Sequence, residues 1–186
     1  PYPIDEMEIR HQLLAPLPSG ESRVLVVLLQ RAKMDERIAA LRIAGGEAID
    51  VVLSTLCLVA AATQQRPTGE IAILHADASA LELVVVREGV LAFSRAVAQT
   101  TPWDLDDPHS CESLTYEARE LLGAYRRESS DGVGVEAVHI SATGLPVERV
   151  ATLLEDALGK LCPLANFAPQ LNSDTGPCPA TFAGAY

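Results

Sequence analysis

The chain has 186 residues, 48% of them hydrophobic, which is enough for one ordinary domain or two small ones and excludes a disordered class. Fourteen Lys and Arg against 25 Asp and Glu leave a net charge of -11, with acid concentrated from residue 104 to 136, so nucleic acid and anionic lipid are disfavoured as direct partners. No apolar run approaches the roughly 20 residues of a membrane span and no signal peptide is visible; Cys57, Cys111, Cys162 and Cys178 lack CxxC spacing, as expected of thiols in a reducing compartment.

In chain order, Pro1-Tyr2-Pro3-Ile4 reads as extended. Met7, Ile9, His11 and Leu13 then alternate with Glu8, Arg10 and Gln12, the period of a half-buried strand. Residues 16–20 form a Pro- and Gly-rich turn, and 24–29 a second, almost wholly apolar strand. Met34, Ile38 and Leu41 recur at helical spacing over 33–44, and Gly45-Gly46 closes that helix with a glycine cap. Residues 49–53 are predicted to return as a strand. The first 54 residues therefore predict strand, strand, helix, strand, a small α+β unit. An alanine-rich helix over 56–65 and the break Arg66-Pro67-Thr68-Gly69 mark the boundary that follows.

Residues 70–99 carry the strongest pattern: strands over 71–74, 81–87 and 90–97, rich in Val, Ile and Leu, with Gly89 supplying the positive φ of the second turn. The first turn, His75-Ala76-Asp77-Ala78-Ser79-Ala80, is small and polar between apolar strands, which is where sites tend to sit. An acidic loop around Pro102, Trp103 and Pro108 follows, with Trp103 either a docking residue or a lid over the core. An amphipathic helix over 112–127 turns Leu114, Ala118, Leu121, Leu122 and Tyr125 inward; a strand over 135–140, a helix over 146–161 and a short strand over 163–166 complete the order. Strands that return through helices must pair in parallel, so a mixed sheet is expected. The four histidines lie without ligand spacing and no Gly-x-Ser-x-Gly elbow accompanies Ser79 or Ser141, so neither a metal site nor a hydrolase is expected.

These elements resemble one lobe of the ribonuclease-H-like, actin-type fold. Within them, IAILHADASALELVVVREGVLAFSRAV is similar to the phosphate-loop hairpin of PilM-type pilus assembly proteins, with its valine-rich strands, glycine turn and Phe-Ser-Arg. Pro1-Tyr2-Pro3-Ile4-Asp5-Glu6-Met7 resembles the entry to that family's small inserted domain, and Ala44-Gly45-Gly46 falls where its helix ends. Glu117-Ala118-Arg119-Glu120 lies where a helical Glu and a basic residue recur. Val138 to Gly144 resembles the adenosine loop, and Ala183 to Tyr186 the start of the closing helix. The resemblance implies an inserted domain over 1–54, a helix and linker over 55–69, and an actin-type second lobe over 70–186. By that comparison the first lobe would precede Pro1 and the final helix is missing.

The family-matched nucleotide positions are His75, Asp77, Ala78, Ser79, Glu117, Ser141 and Gly144. Without a gap, His75 takes the place of the usual metal-facing Asp, and Asp77 that of the Gly whose backbone approaches phosphate. A carboxylate about 4 Å from a phosphate charge costs roughly 1 kcal/mol in water and about 4 at an effective dielectric of 20. A two-residue deletion would instead make Asp77 the metal-facing acid over a shortened Ala78-Ser79 loop. The adenosine loop keeps Gly144, but Ala142-Thr143 replaces a glycine pair. The resemblance thus implies a non-catalytic cytoplasmic scaffold of a type IV pilus or related platform, without a cofactor. It would be held beneath the inner membrane by a short peptide of a bitopic assembly protein, beside other platform proteins. The alternative is a nucleotide-binding actin-like ATPase, a cell-division or type II secretion relative, with Mg-ATP in the full-length parent.

Overall fold

The computed structural model describes residues 3–16, 20–65, 68–129, 135, 137–159 and 162–165. The predicted turn over 16–20, the Arg66-Pro67 break, the tail from 170 and the closing-helix resemblance at 183–186 lie wholly or partly outside them. The chain divides into two compact units, Pro1–Val52 and Leu53–Tyr186.

In the first unit a 3-10 turn, Ile4–Glu6, leads into β1 (Met7–Pro16), which pairs antiparallel with β2 (Ser22–Gln30). Helix α1 (Arg31–Ile43) follows directly. Its end is a Schellman motif: the Gly45 N–H donates to the Arg42 carbonyl at 3.0 Å and the Gly46 N–H to Leu41 at 2.9 Å, with Gly45 at φ 82°. The left-handed φ makes glycine the favoured residue at 45, while a Cβ on Gly46 would meet the end of the Leu41 side chain at 2.6 Å and displace it. The strand predicted over 49–53 is absent. A strand needs a neighbour to take its backbone bonds, and the β1–β2 sheet stops at two strands with Ile49 97% exposed. None of residues 7–14 of β1 is buried, so its alternating pattern does not make it half-buried against a core. Instead Ile9, Leu13, Val24, Val26 and Leu28 stand exposed, and the pairs Ile9–Leu28 and Leu13–Val24 set them on one face.

The second unit opens with α2 (Ser54–Gln65) and the meander β3 (Glu70–Ala76), β4 (Ala80–Arg87) and β5 (Val90–Ala98). Glu88 and Gly89, at φ 52° and 72°, make the two-residue turn between β4 and β5. Helix α3 (Pro108–Glu128) starts on an Asp107 cap with proline in its first turn, and β6 (Val138–Ala142) then pairs in parallel with β3. The predicted strand over 135–140 lies further along the chain because β6 aligns with β3 from Ala72–Val138 to Ala76–Ala142. Helix α4 (Val147–Leu158) ends at a left-handed Gly159, short of the predicted 161. Of the predicted strand over 163–166, residue 166 lies outside the described residues, and 163–165 make a parallel bridge between Leu164 and Ile140.

The result is an α/β chain with a two-stranded sheet and a mixed four-stranded sheet in the order β5-β4-β3-β6. Residues 71–76 of β3 are all buried. Ala72, Leu74 and Ala76 join Leu81, Leu83 and Val85 beneath Leu114, Ala118 and Leu121 of α3 and Val150 and Leu154 of α4. Each fully buried aliphatic side chain contributes roughly 1.5–3 kcal/mol. Trp103 belongs to this core at 7% exposure, so it is a lid and not a docking residue. As the only Trp, it reports on the second unit alone. Leu114→Ala is expected to cost about 2–5 kcal/mol in urea unfolding followed by its fluorescence. Leu28→Ala should leave the same transition within about 0.5 kcal/mol.

Candidate functional site

The order of the sheet reverses at β3: the chain leaves its end for β4 on one side and returns from β6 on the other. In open α/β sheets the crevice at such a point, beyond the carboxyl ends of the parallel strands, is where ligands bind. The structure brings six of the seven family-matched residues to that place: His75, Asp77, Ala78, Ser79, Ser141 and Gly144.

His75 is level with Ser141 of β6 and Glu82 of β4, so the three share one face of the sheet, opposite Leu74 and Ala76. His75 is 6% exposed, and its Nδ1 is hydrogen-bonded to Ser141 Oγ at 3.0 Å. Burial pushes the imidazole pKa below its ordinary value and the Asp77 charge partly opposes this. Glu82, also buried, accepts hydrogen bonds from Thr55 at the start of α2 and, at 3.2 Å, from Ser94 of β5. The Ser141–His75–Glu82 row is therefore a satisfied polar seam across an apolar sheet. Sequence reasoning passed over Glu82; its signal was a lone carboxylate inside Leu81-Glu82-Leu83-Val84-Val85-Val86.

Asp77 turns back on its own loop. Its Oδ1 accepts from the N–H groups of Ser79 and Ala80, both at 2.7 Å, while its own N–H donates to the Ala80 carbonyl at 3.0 Å. Three further backbone bonds latch the turn to neighbouring segments: Gln99 N–H to the Ser79 carbonyl at 2.7 Å, Trp103 N–H to Ala78 at 2.7 Å, and Thr143 N–H to Ala76 at 2.9 Å. Gly144, at φ 73°, lies where a Cβ would come 3.9 Å from that of Ala78, so the two family-matched loops touch. Glu117 stands apart, half-buried on α3, joined to the others by no hydrogen bond or ion pair among the described residues.

Chemically the loop is closed on itself: the amides of Ser79 and Ala80, the donors an anion would need, already face the carboxylate of Asp77. The Oδ1 of that carboxylate is directed at the backbone of its own turn. Among the described residues no three His, Cys, Asp or Glu side chains gather as a metal site. Nor is any helix among them long and apolar enough to cross a membrane.

No protein-family model matches the sequence, and no curated protein matches it. A chain of the PilM-PilN type IV pilus biogenesis complex is similar in structure, with a TM-score of 0.73 at 20% identity over 90% of this chain and 58% of that one. A Bacteroides thetaiotaomicron protein of unknown function with an actin-like ATPase fold follows at 0.48 and 10%, covering 87% of this chain and 56% of the other. The ethanolamine utilization protein EutJ of Carboxydothermus hydrogenoformans has 0.48 and 12%, covering 69% and 55%. Only the first carries weight, and what it shows is the fold: this chain is an α/β protein built like part of the PilM-PilN chain. It spans 58% of that chain's length.

The His75 environment has a pH consequence. Its folded pKa lies below 6.5, so between those two values the unfolded chain binds a proton that the folded one does not. The stability that neutral His75 contributes is present above pH 6.5 and lost as pH falls below it. Urea unfolding at pH 7.5 and 5.5 should show the wild type losing more stability than His75→Asn; equal losses would place the imidazole in water.

Proposed function

We propose that the chain is the second lobe and inserted domain of a PilM-like, actin-type protein that works as a non-catalytic scaffold of a type IV pilus or related inner-membrane platform. The observation that carries this reading is the self-occupied turn. In a ribonuclease-H-like phosphate loop the backbone amides must be free for phosphate and the acid free for the metal's water shell. Here Asp77 Oδ1 fills two amides at 2.7 Å, and a buried, Ser141-bonded imidazole stands where the acid would be. Mg-ATP does not fit these residues: its phosphate would compete with Asp77 for the same donors and face its charge.

The first unit supports a binding role. Ile9, Leu13, Val24, Val26 and Leu28 form an exposed apolar face on its hairpin, and contiguous apolar surface of this kind marks interaction sites. We assign it to the short cytoplasmic peptide of a PilN-like, bitopic inner-membrane partner, since the fold match is to a PilM-PilN complex. Other platform proteins would complete the assembly, leaving the chain cytoplasmic and peripheral to the membrane. The competing reading, a nucleotide-binding actin-like ATPase, requires Asp77 to leave its turn.

The test is calorimetry of Mg-ATP with the full-length natural protein, beside a His75→Asp, Asp77→Gly double variant. The scaffold reading expects no heat of binding in the natural protein and gained binding in the variant. Micromolar binding by the natural protein would overturn it in favour of the ATPase.

A further inference from the structure

An open groove of about 430 Å³ lies on the second unit between the start of α3 and the outer flank of α4. Its floor is apolar, made by Leu105, Leu153 and Cys111, and the Cys111 thiol is turned onto the Leu105 carbonyl at 3.4 Å. Arg149, Leu153 and Asp156 follow one another along α4 at helical spacing, on the stripe beside the buried Val150, Ala151 and Leu154. The rim is unevenly charged. Arg149 is held by the Leu105 carbonyl at 2.9 Å and by Asp106 at 2.8 Å, so its charge is matched within the fold. Nearby, Arg119 donates to the Ala157 carbonyl at 2.7 Å, near the end of α4. Glu148 and Asp156 are exposed, line the groove and have no hydrogen bond or ion pair for their side chains among the described residues. The groove therefore offers an apolar floor between two carboxylates that no described side chain pairs, on a unit already rich in acid.

We infer that this groove is a second docking site, which takes an apolar side chain flanked by lysine or arginine from a partner protein. Charge complementarity selects the occupant: an acidic segment would meet Glu148 and Asp156 with like charge, and a basic one neutralises them. The groove is open along α4, so it admits a segment of chain better than it encloses a small molecule. The site is independent of the nucleotide reading and of the hairpin face of the first unit.

The probes are two peptides, acetyl-Lys-Leu-Leu-Lys-amide and acetyl-Glu-Leu-Leu-Glu-amide, titrated into the 15N-labelled 186-residue chain and into a Glu148→Gln, Asp156→Asn double variant. The basic peptide is expected to shift the amides of Cys111, Thr152 and Leu153 saturably, the acidic one to leave them in place, and the variant to bind about tenfold more weakly. Both substitutions are on exposed side chains, so the rest of the spectrum monitors the fold. A second reading comes from Cys111 itself, by mass spectrometry: a cationic methanethiosulfonate should modify it faster than an anionic one, and equally fast in the variant. Equal shifts with both peptides, shifts confined to β1 and β2, no shift with either, or faster modification by the anionic reagent would each overturn the assignment.

Discussion

Strand β3 is the constraint on which the second unit depends. From Ile71 to Ala76 it is buried on both faces and bonded on both edges, antiparallel to β4 and parallel to β6. A strand in that position must place every backbone group in a ladder and every side chain in a packed layer, since a buried unpaired group costs about 1–3 kcal/mol. The apolar residues meet this demand without difficulty, and the one that tests it is His75. Its row with Ser141 and Glu82 shows how the sheet accommodates polarity: Ser141 partners the imidazole, while Thr55 and Ser94 partner the carboxylate. The seam also ties the first turn of α2 to the sheet, at the place where the second unit begins.

The same strand fixes the turn that follows it. Ala76 ends β3 and its carbonyl takes the Thr143 N–H, so the loop after β6 is latched to the loop after β3. Asp77 then closes the turn from within. Hydrogen bonds to a charged acceptor contribute about 1.5–3 kcal/mol each, and an incoming phosphate would have to displace two of them. In effect Asp77 acts as a built-in anion for the turn, on the two amides of Ser79 and Ala80.

Much of this was legible in the sequence because the second unit obeys local rules. Val-rich runs broken by Arg87-Glu88-Gly89 give the meander, and Leu114, Ala118, Leu121 and Tyr125 give α3 its buried face. The failures have physical causes. Residues 49–53 have strand composition, but pairing is a tertiary property and no neighbour is there to take it. The alternation of β1 fixes which side chains share a face without fixing whether anything covers that face. The boundary of β6 is set by register with β3, some 65 residues earlier, so composition alone placed it too early. The candidate site was legible as a set of positions, yet not the direction of Asp77, which depends on the torsion of one turn. Glu117 was placed by resemblance and lies apart from the rest.

The most direct test of the account is the state of the Ser79 and Ala80 amides, read by NMR on the 186-residue chain. If Asp77 occupies them, both exchange slowly with solvent and neither shifts on adding millimolar Mg-ADP or pyrophosphate. Fast exchange, or a saturable shift at those two amides, would show that the turn is open to an external anion and contradict the claim that it is closed from within.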